Sequence, residues 1–196
     1  MWVPSDDEIR ALHERHAPSR EAFDLVYTHC RIVWRIAEQL LARPGGPAVD
    51  ARLVRAGCLL HDIGVYRLYD AAGALDHAGY IRHGVLGHEL LREAGLPEAV
   101  CRFCSCHTGV GVTREDVVRQ GLPIPPGDYV AETEEERLVM HADKFHSKSS
   151  PPRFVTAAEY TRAVRRFGED KAALFTSMVR RYGEPDLTTG RLQRAG

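Results

Sequence analysis

The chain has 196 residues, 44% of them apolar, enough to build one domain around a full-sized core. A formal net charge of −1 gives no electrostatic reason to expect nucleic acid or anionic lipid as a partner, and no run approaches the ~20 apolar residues that span a bilayer. The start, Met1-Trp2-Val3-Pro4-Ser5-Asp6-Asp7, lacks the basic and apolar regions of a signal peptide, and five cysteines suit a reducing compartment, so a soluble cytoplasmic protein is expected.

Taken in order, the chain shows the helical period of 3.6 almost throughout and little strand-like alternation, which predicts an all-α single domain over 1–183 with a flexible tail over 184–196. Ser5 with Glu8 forms a capping box for a short helix to about Arg15, and Pro18-Ser19 opens a long one to about Ala42, broken by Arg43-Pro44-Gly45-Gly46-Pro47. A third helix is predicted from about Val49 to Asp62, closed by Gly64 in the left-handed conformation. After a loop containing Tyr66, Arg67, Tyr69 and Asp70, helices follow from about His77 to Ala94 and from Pro97 to about His107. Thr113 with Asp116 starts a short helix, and the prolines of Leu122–Tyr129 require an extended loop, expected near a site entrance. Thr133 with Glu136 caps a helix to about Phe145; Ser149-Ser150-Pro151-Pro152 interrupts; Thr156 with Glu159 begins a helical C-terminal part ending near Tyr182.

Several polar residues fall on the apolar stripes of these helices. His29 is flanked by Leu25, Val26, Ile32, Val33 and Ile36 at helical spacing, His61 by Val54, Gly57 and Cys58, and His107 by Val100, Phe103 and Cys104. For any one of them, a core imidazole donating to a backbone carbonyl is the commoner role. Asp143, behind Val139 and Met140, is different: an ionised carboxylate on a buried stripe needs a cation or several donors to offset its desolvation. His83 lies one turn below Gly87, where the missing side chain leaves room, while His77 and His88 point off that face and read as surface residues or supports of a ligand. The set His29, His61, Asp62, His83, His107 and Asp143 is all nitrogen and hard oxygen, which suits iron, manganese or zinc with open water positions better than a closed structural zinc site.

In this order, a lone histidine, the adjacent His61-Asp62 within His61-Asp62-Ile63-Gly64, and a later Asp143 within Ala142-Asp143-Lys144, these residues resemble the HD-domain superfamily of metal-dependent phosphohydrolases. His83-Gly84-Val85-Leu86-Gly87 and His107-Thr108-Gly109 look like the two extra histidine motifs of dinuclear members, so the resemblance covers about 20–150. It implies a helical bundle with the metal site between helices and two divalent ions, iron or manganese first, with zinc, magnesium or nickel as further options. One ion would be held by His29, His61, Asp62 and Asp143, the second by His83, His107 and a bridging Asp62. A water shared by two cations is acidified enough to act near neutral pH, which implies hydrolysis of a phosphoester or phosphoanhydride, with a nucleotide or cyclic phosphate as the expected small-molecule substrate.

The chain departs from many hydrolytic members at Val65, where they carry a lysine; Lys144, Arg82 and Arg67 are the candidates to contact phosphate in its place. Two other readings follow the same residues: a dinuclear iron oxygenase, which uses a very similar ligand set, and a non-catalytic nucleotide- or metal-binding module. Cys101, Cys104 and Cys106 before His107 are read as thiols rather than a cluster motif, because they face different sides of one helix and no second pair exists. His146, three residues past Asp143, is expected to support a ligand or touch substrate, and the last 45 or so residues to shape substrate choice or complete the core.

Overall fold

All four capping boxes form. Ser5, Thr113, Thr133 and Thr156 each accept the backbone N–H three residues on, and Glu8, Asp116, Glu136 and Glu159 return a bond to the cap. The computed structural model describes residues 1–149 and 151–188, and there the helices are α1 (Asp6–His16), α2 (Arg20–Leu41), α3 (Ala51–Leu60), α4 (His83–Glu93), α5 (Glu98–Cys106), α6 (Arg114–Gln120), α7 (Glu134–Asp143), α8 (Ala157–Val164) and α9 (Glu169–Tyr182). The all-α class holds.

The apolar stripes of α2, α3, α5 and α7 meet at the centre, where Ile36, Leu40, Leu60, Phe103 and Leu138 are fully buried; each such side chain contributes about 2 kcal/mol of burial. Arg102 on α5 fixes the start of α7 by donating Nε–H to Glu136 Oε1 at 2.7 Å, the same glutamate that closes its capping box. On the far side α9 packs on α7: Phe175, Met178 and Tyr182 are buried, Tyr182 donates to Glu134, and His141 donates Nε2–H to Gly183 O at 2.9 Å. The part of the predicted tail that is described is tied down, with Arg43 donating to Glu184 O and Gln39 to Asp186 O; residues 189–196 lie outside the described residues.

Four expectations need correction. First, α3 stops at Leu60, and the backbone continues through a turn into a 3-10 segment, Ile63–Leu68. Gly64 is not left-handed; it is needed because α4 lies against it, so close that a Cβ would stand 2.0 Å from His83 O and 2.3 Å from Gly87 N. Second, α4 starts at His83, after a 3-10 turn at Tyr80–Arg82, because the loop before it is held by Asp70 accepting from the Ala72 and Ala74 N–H groups and Asp76 from that of Gly79. Third, a short antiparallel hairpin, β1 (His146–Ser147) and β2 (Arg153–Phe154), follows α7 where only an interruption was expected. Fourth, the proline-rich loop pairs with Val112 through Tyr129 and contributes no residue to the main cleft described below.

One buried histidine is structural and gives a pH prediction. His13 donates Nε2–H to Leu59 O at 2.8 Å and accepts the Tyr66 hydroxyl on Nδ1 at 2.8 Å, linking α1 to the end of α3 and the 3-10 segment. Burial lowers its pKa to about 4, against a small upward pull from the Leu59 carbonyl. An unfolded histidine titrates near 6.5, so between these values the unfolded state binds more protons and stability drops as pH is lowered. His13 contributes its full share above pH 6.5 and loses on the order of 3 kcal/mol as pH falls through 4. Urea midpoints across pH 4–7 should fall less steeply in His13→Gln than in the parent; equal slopes would refute this assignment.

Candidate metal centre

Six side chains from five helices converge where these elements meet. His29 comes from the middle of α2, His61 and Asp62 from the turn that ends α3, His83 from the first residue of α4, His107 from the residue after α5, and Asp143 from the last residue of α7. All but Asp143 are almost fully buried, and its side chain is 15% exposed toward the cleft. The close approach at Gly64 carries α4, and so His83, into reach of Asp62.

The ring nitrogens are oriented by what lies behind them. His61 Nδ1–H donates to Cys58 O at 2.8 Å, His83 Nδ1–H to Tyr80 O at 2.6 Å, and His107 Nδ1–H to Phe103 O at 3.0 Å. These partners assign the Nδ1–H tautomer, which leaves an Nε2 lone pair directed inward in all three. His29 is held by a histidine instead: its Nδ1 lies 2.8 Å from His146 Nδ1. Burial lowers the His146 pKa to about 3, so a neutral His146 acts as acceptor for His29 Nδ1–H at 2.8 Å.

The inward atoms form two groups that share one carboxylate. His29 Nε2 lies 3.1 Å from Asp62 Oδ2 and 3.0 Å from Asp143 Oδ1, and His61 Nε2 lies 3.4 Å from each of the same oxygens. The other oxygen, Asp62 Oδ1, faces His83 Nε2 at 3.5 Å and His107 Nε2 at 3.6 Å. Within each group the ligand atoms lie within 4.8 Å of one another.

This arrangement fits divalent cations. Asp62 Oδ1 is buried without a hydrogen-bond partner, a costly state for a carboxylate oxygen. The nitrogen lone pairs of His29 and His61 face each other at 3.2 Å and those of His83 and His107 at 3.0 Å, which is repulsive unless a cation or proton stands between. Asp62 is ionised despite its burial: burial would push its carboxyl up, but Lys148, His61, His107 and His29 together hold it well below the usual range. Asp143 is likewise held low against burial, chiefly by Lys144. The donor set is imidazole and carboxylate, without thiolate, and suits a divalent cation.

The five cysteines are free and buried, and none belongs to either ligand group. Burial raises Cys101 to about 11 and Cys106 to about 12, so both are thiols at neutral pH.

A cleft of about 910 Å³ opens over the site. Leu75, His77 and Tyr80 line one part and the hairpin with Glu159, Tyr160 and Arg166 another. Lys144 reaches it but is committed, donating to Asp143 Oδ2 at 2.6 Å and to His107 O at 2.8 Å. Arg82 and Arg67 do not line it: Arg82 stands 3.9 Å from Asp76 and Arg67 donates to Glu93 at 3.2 Å. His77 does line it, although helical spacing turned it away, because no helix exists there. His88 bonds Ser105 and Glu98 on the opposite face of α4. The residue that sequence reasoning missed is Lys148, which reaches from the hairpin loop to ion-pair with Asp62 Oδ2. It sits outside any helical stripe, so periodicity carried no sign that it points inward.

A helical bundle whose buried centre is a histidine, a His-Asp pair and a later aspartate on separate helices defines a class, and residues 26–148 match the family model described as HD domain. The chain belongs to the HD-domain family. It is 41% identical over 120 residues to an uncharacterized protein of Methanocaldococcus jannaschii, covering 60% of this chain and 64% of that one. It is also 33% identical over 146 residues to a tRNA (cytidine(56)-2'-O)-methyltransferase of Picrophilus torridus, covering 74% of this chain and 37% of that one. The chain thus spans less than two thirds of the length of either relative. Among solved structures, the HD domain of the L. monocytogenes phosphodiesterase PgpH superposes with a TM-score of 0.51 at 18% identity, over 95% of this chain and 92% of that one, which establishes the shared fold. The same domain in complex with cyclic-di-AMP gives 0.51 at 19% identity, over 95% and 91% of the two chains.

Proposed function

We propose that this protein is a metal-dependent phosphohydrolase acting on a phosphoester or phosphoanhydride of a nucleotide or cyclic nucleotide. The observation that carries the reading is the division of Asp62 between two inward histidine groups, Oδ2 toward His29 and His61 and Oδ1 toward His83 and His107. Two divalent cations held there would supply an acidified water and neutralise charge on a phosphoryl group. The protein's part is orientation. Lys144 fixes Asp143 Oδ2 and so keeps Oδ1 turned to His29, while His146 fixes the tautomer of His29. The cleft is large enough for a nucleotide, with the rings of Tyr80 and Tyr160 available to a base and Arg166 to its phosphates. The fold neighbour PgpH is named a phosphodiesterase and was solved with cyclic-di-AMP, which supports this substrate class. The methyltransferase name belongs to a chain of which this one covers 37%, so it does not bear on the chemistry of this site. We place the protein in the cytosol, where its free thiols stay reduced. No described helix is long and apolar enough to cross a membrane.

Protein purified without chelator should carry about two metal ions per chain and hydrolyse phosphoesters in a screen with added Mn²⁺ or Fe²⁺. Less than one metal per chain, with no turnover after reconstitution, would sink the proposal. A buried Val65 where a phosphate-binding lysine was expected favours the oxygenase alternative, so the same preparations should be followed in an oxygen electrode. Substrate-dependent oxygen uptake without phosphate release would replace hydrolysis by oxygenation.

A further inference from the structure

The geometry points to Lys148 as a mobile counter-ion of this site: it occupies the Asp62 carboxylate when no divalent cation is bound, and anchors the substrate's phosphoryl group when one is. This rests on the metal-dependent hydrolase reading above.

Lys148 follows β1, and the hairpin folds back so that its side chain enters the cleft, 14% exposed, with the ammonium on Asp62 Oδ2 and 5.9 Å from the centre of the Tyr80 ring. A buried ammonium needs a counter-charge, and Asp62 provides it. Yet Asp62 Oδ2 also belongs to the group formed with His29, His61 and Asp143. One oxygen cannot hold a divalent cation at coordination distance and an ammonium in the same place, since like charges repel strongly at such range. Cation binding therefore drives Lys148 off Asp62.

No carboxylate in the cleft is free to receive it. Among the described residues, the other two that line the cleft are Asp143, already bonded to Lys144, and Glu159, already accepting from Arg153 and from the Thr156 cap. A tethered ammonium beside the two ligand groups, with no protein anion left to pair with, is matched by an anionic oxygen of a substrate lying over those groups. Val65 offers no charge from the cleft wall, so Lys148 supplies from the hairpin the cation that position 65 lacks.

The two roles pull in opposite directions, and that separates them from a structural one. In the full chain, Lys148→Met should bind Mn²⁺ about fivefold or more tightly, because an internal competitor is gone. Its Mn²⁺-loaded form should bind inorganic phosphate at least about tenfold more weakly, with KM for the phosphoester raised in parallel. Lys148→Arg should keep phosphate affinity within about threefold. Mn²⁺ binding is read by electron paramagnetic resonance, phosphate binding by calorimetry, and folding of each variant by thermal unfolding without metal. Should Lys148→Met fold poorly, Lys148→Gln is judged by the same two constants. If the parent binds Mn²⁺ and phosphate and the folded variants change neither by more than twofold, this inference is wrong while the hydrolase reading stands. If parent and variants alike take up no Mn²⁺, the hydrolase reading falls and this inference with it.

Discussion

Asp62→Asn should leave a protein that retains at most one metal ion per chain and hydrolyses phosphoesters about a thousandfold more slowly, or worse. The substitution keeps the volume and the planar shape of the side chain, so packing around it changes little. It removes the charge, and whichever way the amide turns, an NH₂ group replaces one of the two oxygens that face the histidine pairs. One cation position then meets a donor instead of a ligand. A thousandfold loss corresponds to about 4 kcal/mol of transition-state stabilisation, in the range expected when a metal that polarises phosphate or water is lost. Metal analysis together with kcat/KM checks the result. His61→Ala should behave similarly, since His61 Nε2 faces both carboxylates, whereas His88→Ala, outside the cleft, should stay within about threefold of the parent. Equal losses in all three would mean that the ligands have been misassigned.

The second large effect is expected from a residue that carries no side chain. Gly64→Ala introduces a Cβ 2.0 Å from the carbonyl oxygen of His83 and 2.6 Å from the Cα of Gly87, and both obstacles are backbone. No side chain can rotate to relieve the overlap; α4 must move away from the 3-10 segment. Overpacking of this kind costs about 3 kcal/mol or more, which lowers Tm by roughly 6–12 °C in a chain of this size. Because His83 is the first residue of α4, the same movement withdraws a ligand from Asp62 Oδ1. The variant should therefore lose its second metal ion before its fold. A melting temperature within about 2 °C of the parent would show that α4 is free to yield.

Much of this was legible in the sequence because two signals coincide in it. Caps such as Thr133 with Glu136 announce where helices start, and the 3.6 period shows which face is buried, so His29, His107 and Asp143 could be placed on inward faces one by one. What periodicity could not show lies where the chain is not helical. His77 lies where the Asp70 and Asp76 turns replace the helix that periodicity predicts, and Lys148 sits past the end of α7 on a hairpin of two-residue strands, too short to leave an alternating pattern. Gly64 is required by a neighbour 19 residues further on, His83, which no local pattern encodes.

The hairpin has one more consequence. The match to the family ends at residue 148, yet Pro152, Arg153, Glu159, Tyr160 and Arg166 line the cleft from beyond that point, while the helices holding the ligands lie before it. On the hydrolase reading, part of the substrate cleft is thus carried by chain that follows the helices holding the candidate ligands. A graft that exchanges the stretch after Lys148 between relatives is the natural way to redirect such a scaffold to a new compound without rebuilding its reactive centre.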